Sequence, residues 1–451
     1  MSQTQSGERL RIAWRLERLP SSKPIFFMAT ALVVSYLIEA TDNGAIGYFL
    51  PVLAKEYNLT PAMMGFVGTI SNVGIMVGAA ISGYLCDIIG RKLCVWVSML
   101  IFGAFGVLLS VAADLNTVMI ARVGIGLGMG GFLPAVTTYL SEMVPAKLRV
   151  SYMSALIGCT AGGYMLAGIM SYHLIPIPGI GWRGVALLIA VLSLFAFVIA
   201  KYVPESPLWL ESKGRFEEAD KIISEIERKV EKSVGHALPE VVIPADYKPV
   251  EQQKVGLAAI FGKEYLVTTI MVTLWWTAVV GANVGLTTWF STLMVAKGFT
   301  IQKSIGFVTL MFAGGFLGFP VVRFLAKRIG HKWTTALVAV LATIAAFSYG
   351  NSDTLPFILF FGVMYNCFAY SSAMINNIYT TELYSNRVRG TAIGWGYICA
   401  RSGAIFVPLL FGFVMQNYGV PAVGYSAAAL YLLAAVVVAV LGKEGNKVFT
   451  H

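Results

Sequence analysis

Twelve stretches of this chain are apolar for about twenty residues each, the length that crosses a bilayer's hydrocarbon core. They run roughly over 26–50, 62–86, 93–113, 116–141, 151–173, 183–203, 266–294, 303–325, 333–350, 354–380, 390–416 and 422–441. A segment in hydrocarbon must satisfy its own backbone, so each is expected to be a helix. A composition of 57% hydrophobic and 12% charged residues excludes an ordinary water-soluble globule. The expected fold class is therefore an all-α membrane protein of twelve transmembrane helices in two pseudo-symmetric six-helix bundles. Its domains would be a cytosolic N-terminus (1–25), a first bundle (26–203), a cytosolic central loop with short helices (204–265), a second bundle (266–441) and a cytosolic tail (442–451).

The bundles are read as duplicates because matched residues recur at a constant offset of 240: Gly90 and Lys92 as Gly330 and Lys332, Glu142 as Glu382, Arg149 as Arg389. Parallel duplication of a membrane half is the simplest source of such spacing, and it points to a transporter. The second copy differs where chemistry is concerned: Lys327 stands where Asp87 would recur, His331 where Arg91 would and Gly362 where Arg122 would.

Placing the N-terminus inside puts 26 of the 33 Lys and Arg residues on the cytosolic side, as the positive-inside rule requires. The net charge of +10 then needs no nucleic acid. Residues 1–24 are polar, so no cleavable signal is expected. The five cysteines, Cys86, Cys94, Cys159, Cys367 and Cys399, show no ligand spacing, and neither disulfide nor metal is expected. In the central loop, Ser206 can cap a helix that opens with Pro207. Farther on, Ile222, Ile223, Ile226 and Val230 form an apolar stripe, with Glu225 and Lys229 at i, i+4 spacing. Residues 235–254 read as linker.

The loop between spans 2 and 3 carries Asp87, Gly90, Arg91 and Lys92. Asp87 meets the negative end of a helix dipole, so it needs compensation from Arg91, Arg149 or the N-terminus of a span in the other half. The expected role is a gating latch made of Asp87, Gly90, Arg91, Glu142 and Arg149, with Glu382 and Arg389 as its second-half counterparts. Together with the span 4 run from Arg122 to Arg149, Pro204-Glu205-Ser206-Pro207 after span 6 and Glu382 to Gly390 after span 10, this loop resembles the major facilitator superfamily. The branch it resembles is shared by sugar porters and metabolite:proton symporters, including those of aromatic acids. That resemblance implies alternating access.

Ionisable side chains inside a bilayer cost about 2.5–3.5 kcal/mol each on insertion scales, so they mark function by default. Glu39 and Asp42 share one face of span 1. Counted from the predicted span ends, Asp42 lies roughly 12 Å and Arg122 of span 4 roughly 9 Å below the outer surface, so the two can meet. Protonating Asp42 would free Arg122 for an anion, the linkage of a proton symporter. Arg401, mid-span and with no acid in its own span, would grip a carboxylate with its planar fork. The aromatic-acid:proton symporters resemble this chain in having span 1 acids, a span 4 Arg and a span 11 Arg. Here Glu39-Ala-Thr-Asp42-Asn43-Gly44 departs from their Asp-Gly-x-Asp run. The repeat adds Asn283 and Trp289, which match Asn43 and Phe49, and Tyr365 of span 10 completes the candidate substrate contacts. Gly126 and Gly130 share a face with Arg122 and are read as helix packing.

The function expected is proton-coupled symport of a small organic carboxylate, aromatic or nicotinate-like, in a plasma or inner membrane, with both termini cytosolic. No cofactor beyond the proton is called for, the substrate is anionic, and the chain is expected to act as a monomer. An organic cation transporter or antiporter using Glu39 and Asp42 is the alternative. A sugar porter fits less well because span 5 has no Gln and span 7 offers only Asn283. A receptor would not need two sets of latch residues, and no nucleophile–base pair or phosphate loop suggests an enzyme.

Overall fold

The computed structural model describes residues 12–241 and 256–444; Arg9, Arg11, most of the expected linker and the end of the tail lie outside them. Among the described residues no strand occurs. The first half contributes α1 (Lys23–Tyr57), α2 (Pro61–Ile89), α3 (Arg91–Ser110), α4 (Leu115–Met143), α5 (Ala146–Leu174) and α6 (Gly181–Tyr202). Two short helices follow, α7 (Pro207–Ser212) and α8 (Phe216–Val234). The second half contributes α9 (Leu266–Ala296), α10 (Ile301–Phe312), α11 (Gly318–Asn351), α12 (Leu355–Leu383), α13 (Arg389–Tyr418) and α14 (Val420–Leu441).

Helix length alone yields eleven membrane crossings, because Ile301–Asn351 runs on for 51 residues. At 1.5 Å per residue that stretch would be about 77 Å long, more than twice a hydrocarbon core. Gly330, at φ 75° and ψ 171°, breaks α11 and restores the twelve expected spans. Gly90 makes the equivalent break before α3 at φ 104°. Both are left-handed positions that favour glycine, and they are one of the residue pairs at the repeat offset.

Local chemistry sets several helix starts. Asp114 accepts the Thr117 N–H at 2.9 Å to cap α4, and Thr300 caps α10 through the Lys303 N–H at 3.3 Å. Ser206 caps α7 by accepting the Trp209 N–H at 3.2 Å, with Pro207 in the first turn, as the sequence leads one to expect.

The chain folds as two compact units, Met1–Asn43 with Val73–Gly163 and Ala186–Val250, and Gly44–Asn72 with Tyr164–Val185 and Glu251–His451. In the first unit, α2 and α4 pack backbone to backbone. A Cβ on Gly74 would strike the Val123 carbonyl, one on Gly78 the Leu127 carbonyl and one on Gly130 the Ile75 carbonyl. Small residues let helices approach where lipid supplies no hydrophobic drive, which is the packing role expected of Gly130.

α8 buries Ala219, Ile223, Ile226 and Val230. Ile222 of the expected stripe is only half-buried, and Glu225 and Lys229 both stay exposed. The stronger tie comes from the N-terminal segment. Arg15 donates to Glu227 at 3.0 and 2.6 Å and to Asp220 at 2.5 Å, and Arg18 donates to Glu227 at 2.5 Å. Burial pushes the Glu227 carboxyl up, but the hydrogen bonds and charges of Arg15 and Arg18 outweigh it and hold the group below its ordinary 4.5.

In the second unit α9 packs on α13 and α14, and α11 on α12 and α14. This unit also takes in the later part of α1, the start of α2 and the end of α5. Asn72 donates to the Ala404 carbonyl at 3.4 Å, a Cβ on Gly65 would lie 2.9 Å from the Pro408 carbonyl, and one on Gly412 2.6 Å from the Pro61 carbonyl.

A depressed carboxylate pKa stabilises the fold above the unfolded value and loses that contribution as pH falls through the folded one. Amides of residues 12–17 in Glu227→Gln are therefore expected to exchange hydrogen faster than wild type at neutral pH. That difference should close under acid conditions in which wild-type Glu227 is itself protonated.

Candidate substrate and coupling site

Asp42 of α1 and Arg122 of α4 form an ion pair, with Arg122 Nη1 donating to Asp42 Oδ2 at 3.1 Å. Both are almost wholly enclosed, at 3% and 1% exposure. Arg122 Nε is also buried and has no hydrogen-bond partner among the described residues. A guanidinium carries five N–H donors, so this pair leaves Arg122 with unspent donors in a place where they are costly to leave bare. Glu39, three residues before Asp42, is buried as well, at 6% exposure.

The meeting of Asp42 and Arg122 agrees with the sequence reading, and the helices that carry them run past the spans from which their depths were counted. α1 continues to Tyr57, so Asp42 lies fifteen residues, about 22 Å, from its helix end. Arg122 lies seven residues, about 10 Å, into α4. The helix continues through Pro51 and past Lys55, the first charge after Asp42, to Tyr57, so the helix end does not mark the membrane edge.

The second-half candidates sit differently. Arg401 of α13 is half-buried, and among the described residues no carboxylate pairs with it. Asn283 of α9 is half-buried, its Nδ2 enclosed without a hydrogen-bond partner among those residues. Trp289 is fully buried and donates its indole N–H to the Pro408 carbonyl at 3.1 Å, which ties α9 to α13 rather than offering that donor to a ligand. Tyr365 is likewise enclosed; it donates to the Ala282 carbonyl at 2.9 Å and packs edge-on against Phe290.

Of the first-half residues expected to form a latch, Asp87, Arg91 and Glu142 meet. Arg91 donates to Asp87 at 3.0 Å, to the Cys86 carbonyl at 2.8 Å and to Glu142 at 3.2 Å. Asp87 thus finds its compensating charge four residues on, and its side chain remains 70% exposed. Arg149 joins neither acid. It donates to Glu17 at 3.1 Å, while Glu17 also accepts the Ala146 N–H at 2.7 Å and so caps α5.

Glu205, given no role of its own in the Pro204-Glu205-Ser206-Pro207 motif, organises this corner. Its Oε1 accepts the N–H groups of Arg91 and Lys92 at 3.1 Å each and of Ser206 at 2.8 Å, capping α3 from the far end of α6. Burial pushes its carboxyl up, opposed by those three donors. A Cβ on Gly90 would collide with Glu205, so this glycine serves both the backbone turn and the approach of the cap. Trp209 donates to the Asp87 carbonyl at 3.0 Å, and the Tyr139 hydroxyl to the Pro204 carbonyl. The second half repeats the pattern in reduced form: His331 meets Glu382 at 2.6 Å, and Arg389 opens α13.

A further cluster in the second unit was not visible in the sequence. The Tyr48 hydroxyl donates to the Tyr164 carbonyl at 3.2 Å and accepts from Thr309 at 3.4 Å, and the Tyr164 ring meets Phe312 edge-on at 5.1 Å. A Cβ on Gly44 would lie 2.8 Å from Tyr164, and one on Gly168 would hit Thr309. The glycines were the only available signal.

The model of the Major Facilitator Superfamily matches residues 32–380 and again 307–448. The chain belongs to that superfamily. This facilitator is 29% identical over 432 residues to the niacin transporter NiaP of Acinetobacter baylyi, covering 95% of the chain and 96% of the relative. It is 30% identical over 401 residues to the 4-hydroxybenzoate transporter PcaK of the same organism, covering 86% and 84%. Among solved structures, a D-xylose–proton symporter superimposes with a TM-score of 0.73 at 17% identity over 93% of this chain and 98% of that one. That likeness establishes the fold. The protein is a multi-pass membrane transporter and not an enzyme.

Removing one partner of a buried ion pair leaves an uncompensated charge, at a cost of about 3–5 kcal/mol. Asp42→Asn and Arg122→Gln are each expected to lower the midpoint of thermal unfolding in detergent. The double variant should recover much of the loss, and a double-mutant cycle measured by intrinsic fluorescence checks this.

Proposed function

We propose that this transporter carries a small organic carboxylate together with a proton, by alternating access. The observation that carries the reading is the enclosed Asp42–Arg122 pair. An acid and a cation held together away from water can change partners but cannot easily be left alone. A proton on Asp42 cancels its hold on Arg122, and a substrate carboxylate then takes the guanidinium's donors. Each ligand thereby favours the other, and such reciprocal linkage is what symport requires.

The names of two relatives support an aromatic or nicotinate-like acid as cargo, since one is a niacin and one a 4-hydroxybenzoate transporter. In the second unit, Arg401 would grip a carboxylate through its fork, and Asn283 would supply a hydrogen-bond donor for a ring nitrogen or hydroxyl. Asp87, Arg91, Glu142 and Arg149, with Glu382 and Arg389, would act as the latches made and broken as access alternates. The predominance of Lys and Arg on one side supports a cytosolic location for both termini and the central segment, with the protein in a cell's inner membrane.

Proteoliposomes loaded with a pH-sensitive dye test the reading. Proton influx is expected with nicotinate or a hydroxybenzoate and not with organic cations or sugars. Asp42→Asn should abolish accumulation against a gradient while sparing counterflow. Arg401→Lys should weaken apparent affinity about tenfold, the loss of roughly one charge-assisted hydrogen bond. Proton efflux driven by an organic cation would instead assign Glu39 and Asp42 to a cation site.

A further inference from the structure

We infer that the first unit carries a binding site for an anionic phospholipid, built where α1 begins, α6 ends and α8 crosses beside them. A cavity of about 550 Å³ opens there. Lys23 of α1 and Lys229 and Lys232 of α8 stand at it, and Phe27, Tyr202 and Ile226 form its apolar side.

The charges around this cavity are unevenly spent. On α8, Glu227 and Asp220 are taken by Arg15 and Arg18, and Glu218 by Arg215. Lys23, Lys229 and Lys232 are exposed, and among the described residues no carboxylate lies within ion-pairing distance of any of them. Among the described residues three cations and no carboxylate thus line one concavity, next to an arginine pair whose charge is fully answered.

The apolar wall shows what kind of anion fits. Phe27 and Tyr202 are 48% and 55% exposed, yet they lie on the ends of two membrane spans and meet edge to plane at 6.2 Å. Aromatic residues at span ends occupy the headgroup level of a bilayer. Lys229 and Lys232 of α8 line the same cavity as these two rings. A soluble phosphate or carboxylate would use the lysines and leave the aromatic wall bare, whereas a phospholipid uses both, its phosphate among the ammonium groups and the upper part of its chains along Phe27 and Tyr202. Anionic headgroups are concentrated on the cytosolic leaflet, and basic pockets there hold them. The inference rests on the cytosolic placement of the central segment but not on the identity of the transported substrate. A lipid seated here would bridge α8 to the first span and brace the corner that also holds the Arg15–Glu227 clasp.

The test uses the full chain, reconstituted in vesicles of phosphatidylcholine with and without phosphatidylglycerol, then extracted in mild detergent so that retained phospholipid can be measured by mass spectrometry. Wild type should retain phosphatidylglycerol in preference to phosphatidylcholine. The triple variant Lys23→Gln, Lys229→Gln, Lys232→Gln should lose that preference by about fivefold for each lysine removed. A control variant with the same charge loss at other exposed lysines, Lys213→Gln, Lys221→Gln, Lys263→Gln, should keep it. Equal retention by the triple variant and wild type, or equal loss in the control, would overturn the site. So would displacement of the lipid by millimolar glycerol phosphate or inorganic phosphate, which would show that the lysines bind a soluble anion. Carboxylate uptake measured in the same vesicles separates a failure of this site from a failure of the transport reading.

Discussion

Water is absent from the bilayer's core, and most of this structure follows from that. Every backbone N–H and C=O within the core must be paired inside the chain, so each crossing is a helix. Helices gain little from one another's apolar surfaces when lipid is as apolar as leucine, so contact comes from close approach. The backbone-to-backbone crossing of α2 and α4 at Gly74, Gly78 and Gly130 is one result. A charge carried into the core must bring its own partner, and the Asp42–Arg122 pair is the other. The proposed function rests there, because a pair that the membrane forces together is one that a proton and an anion would have to pry apart.

Duplication supplied the scaffold, and divergence supplied the asymmetry. The left-handed glycines at Gly90 and Gly330 turn the chain at matched places. After Gly90 the next side chain is a guanidinium that bridges Asp87 and Glu142, and the backbone there is capped by Glu205. After Gly330 it is an imidazole meeting Glu382 alone. An imidazole cannot reproduce a guanidinium's planar fork, and Lys327 and Gly362 remove the second-half equivalents of Asp87 and Arg122. The first half holds the buried Asp42–Arg122 pair, and the second half offers Arg401, which no carboxylate pairs with among the described residues.

What the sequence made legible is what depends on neighbours in the chain. Apolar runs located the spans, the offset of 240 paired Gly90 with Gly330, Ser206 and Pro207 marked a helix start, and counting along α1 and α4 brought Asp42 to Arg122. The rest depends on which helices lie side by side. Glu205 caps α3 across 114 residues of sequence, Glu17 caps α5 across 129, and no local pattern announces either. Trp289 reads as a polar aromatic free to greet a substrate until α13 is seen to bring the Pro408 carbonyl to its N–H. The length of α1 was hidden for a related reason: apolar composition reports where lipid ends, whereas hydrogen bonding carries the helix on to Tyr57.

The account turns on Asp42 taking a proton when a carboxylate takes Arg122. Calorimetric titration of the purified protein with nicotinate, or with the best carboxylate from the uptake panel, in buffers of different ionisation enthalpy counts the protons that accompany binding. Uptake of about one proton by wild type, and none by Asp42→Asn with carboxylate binding retained, is the predicted result. Binding by wild type with no proton uptake, or the same uptake in Asp42→Asn, would contradict it.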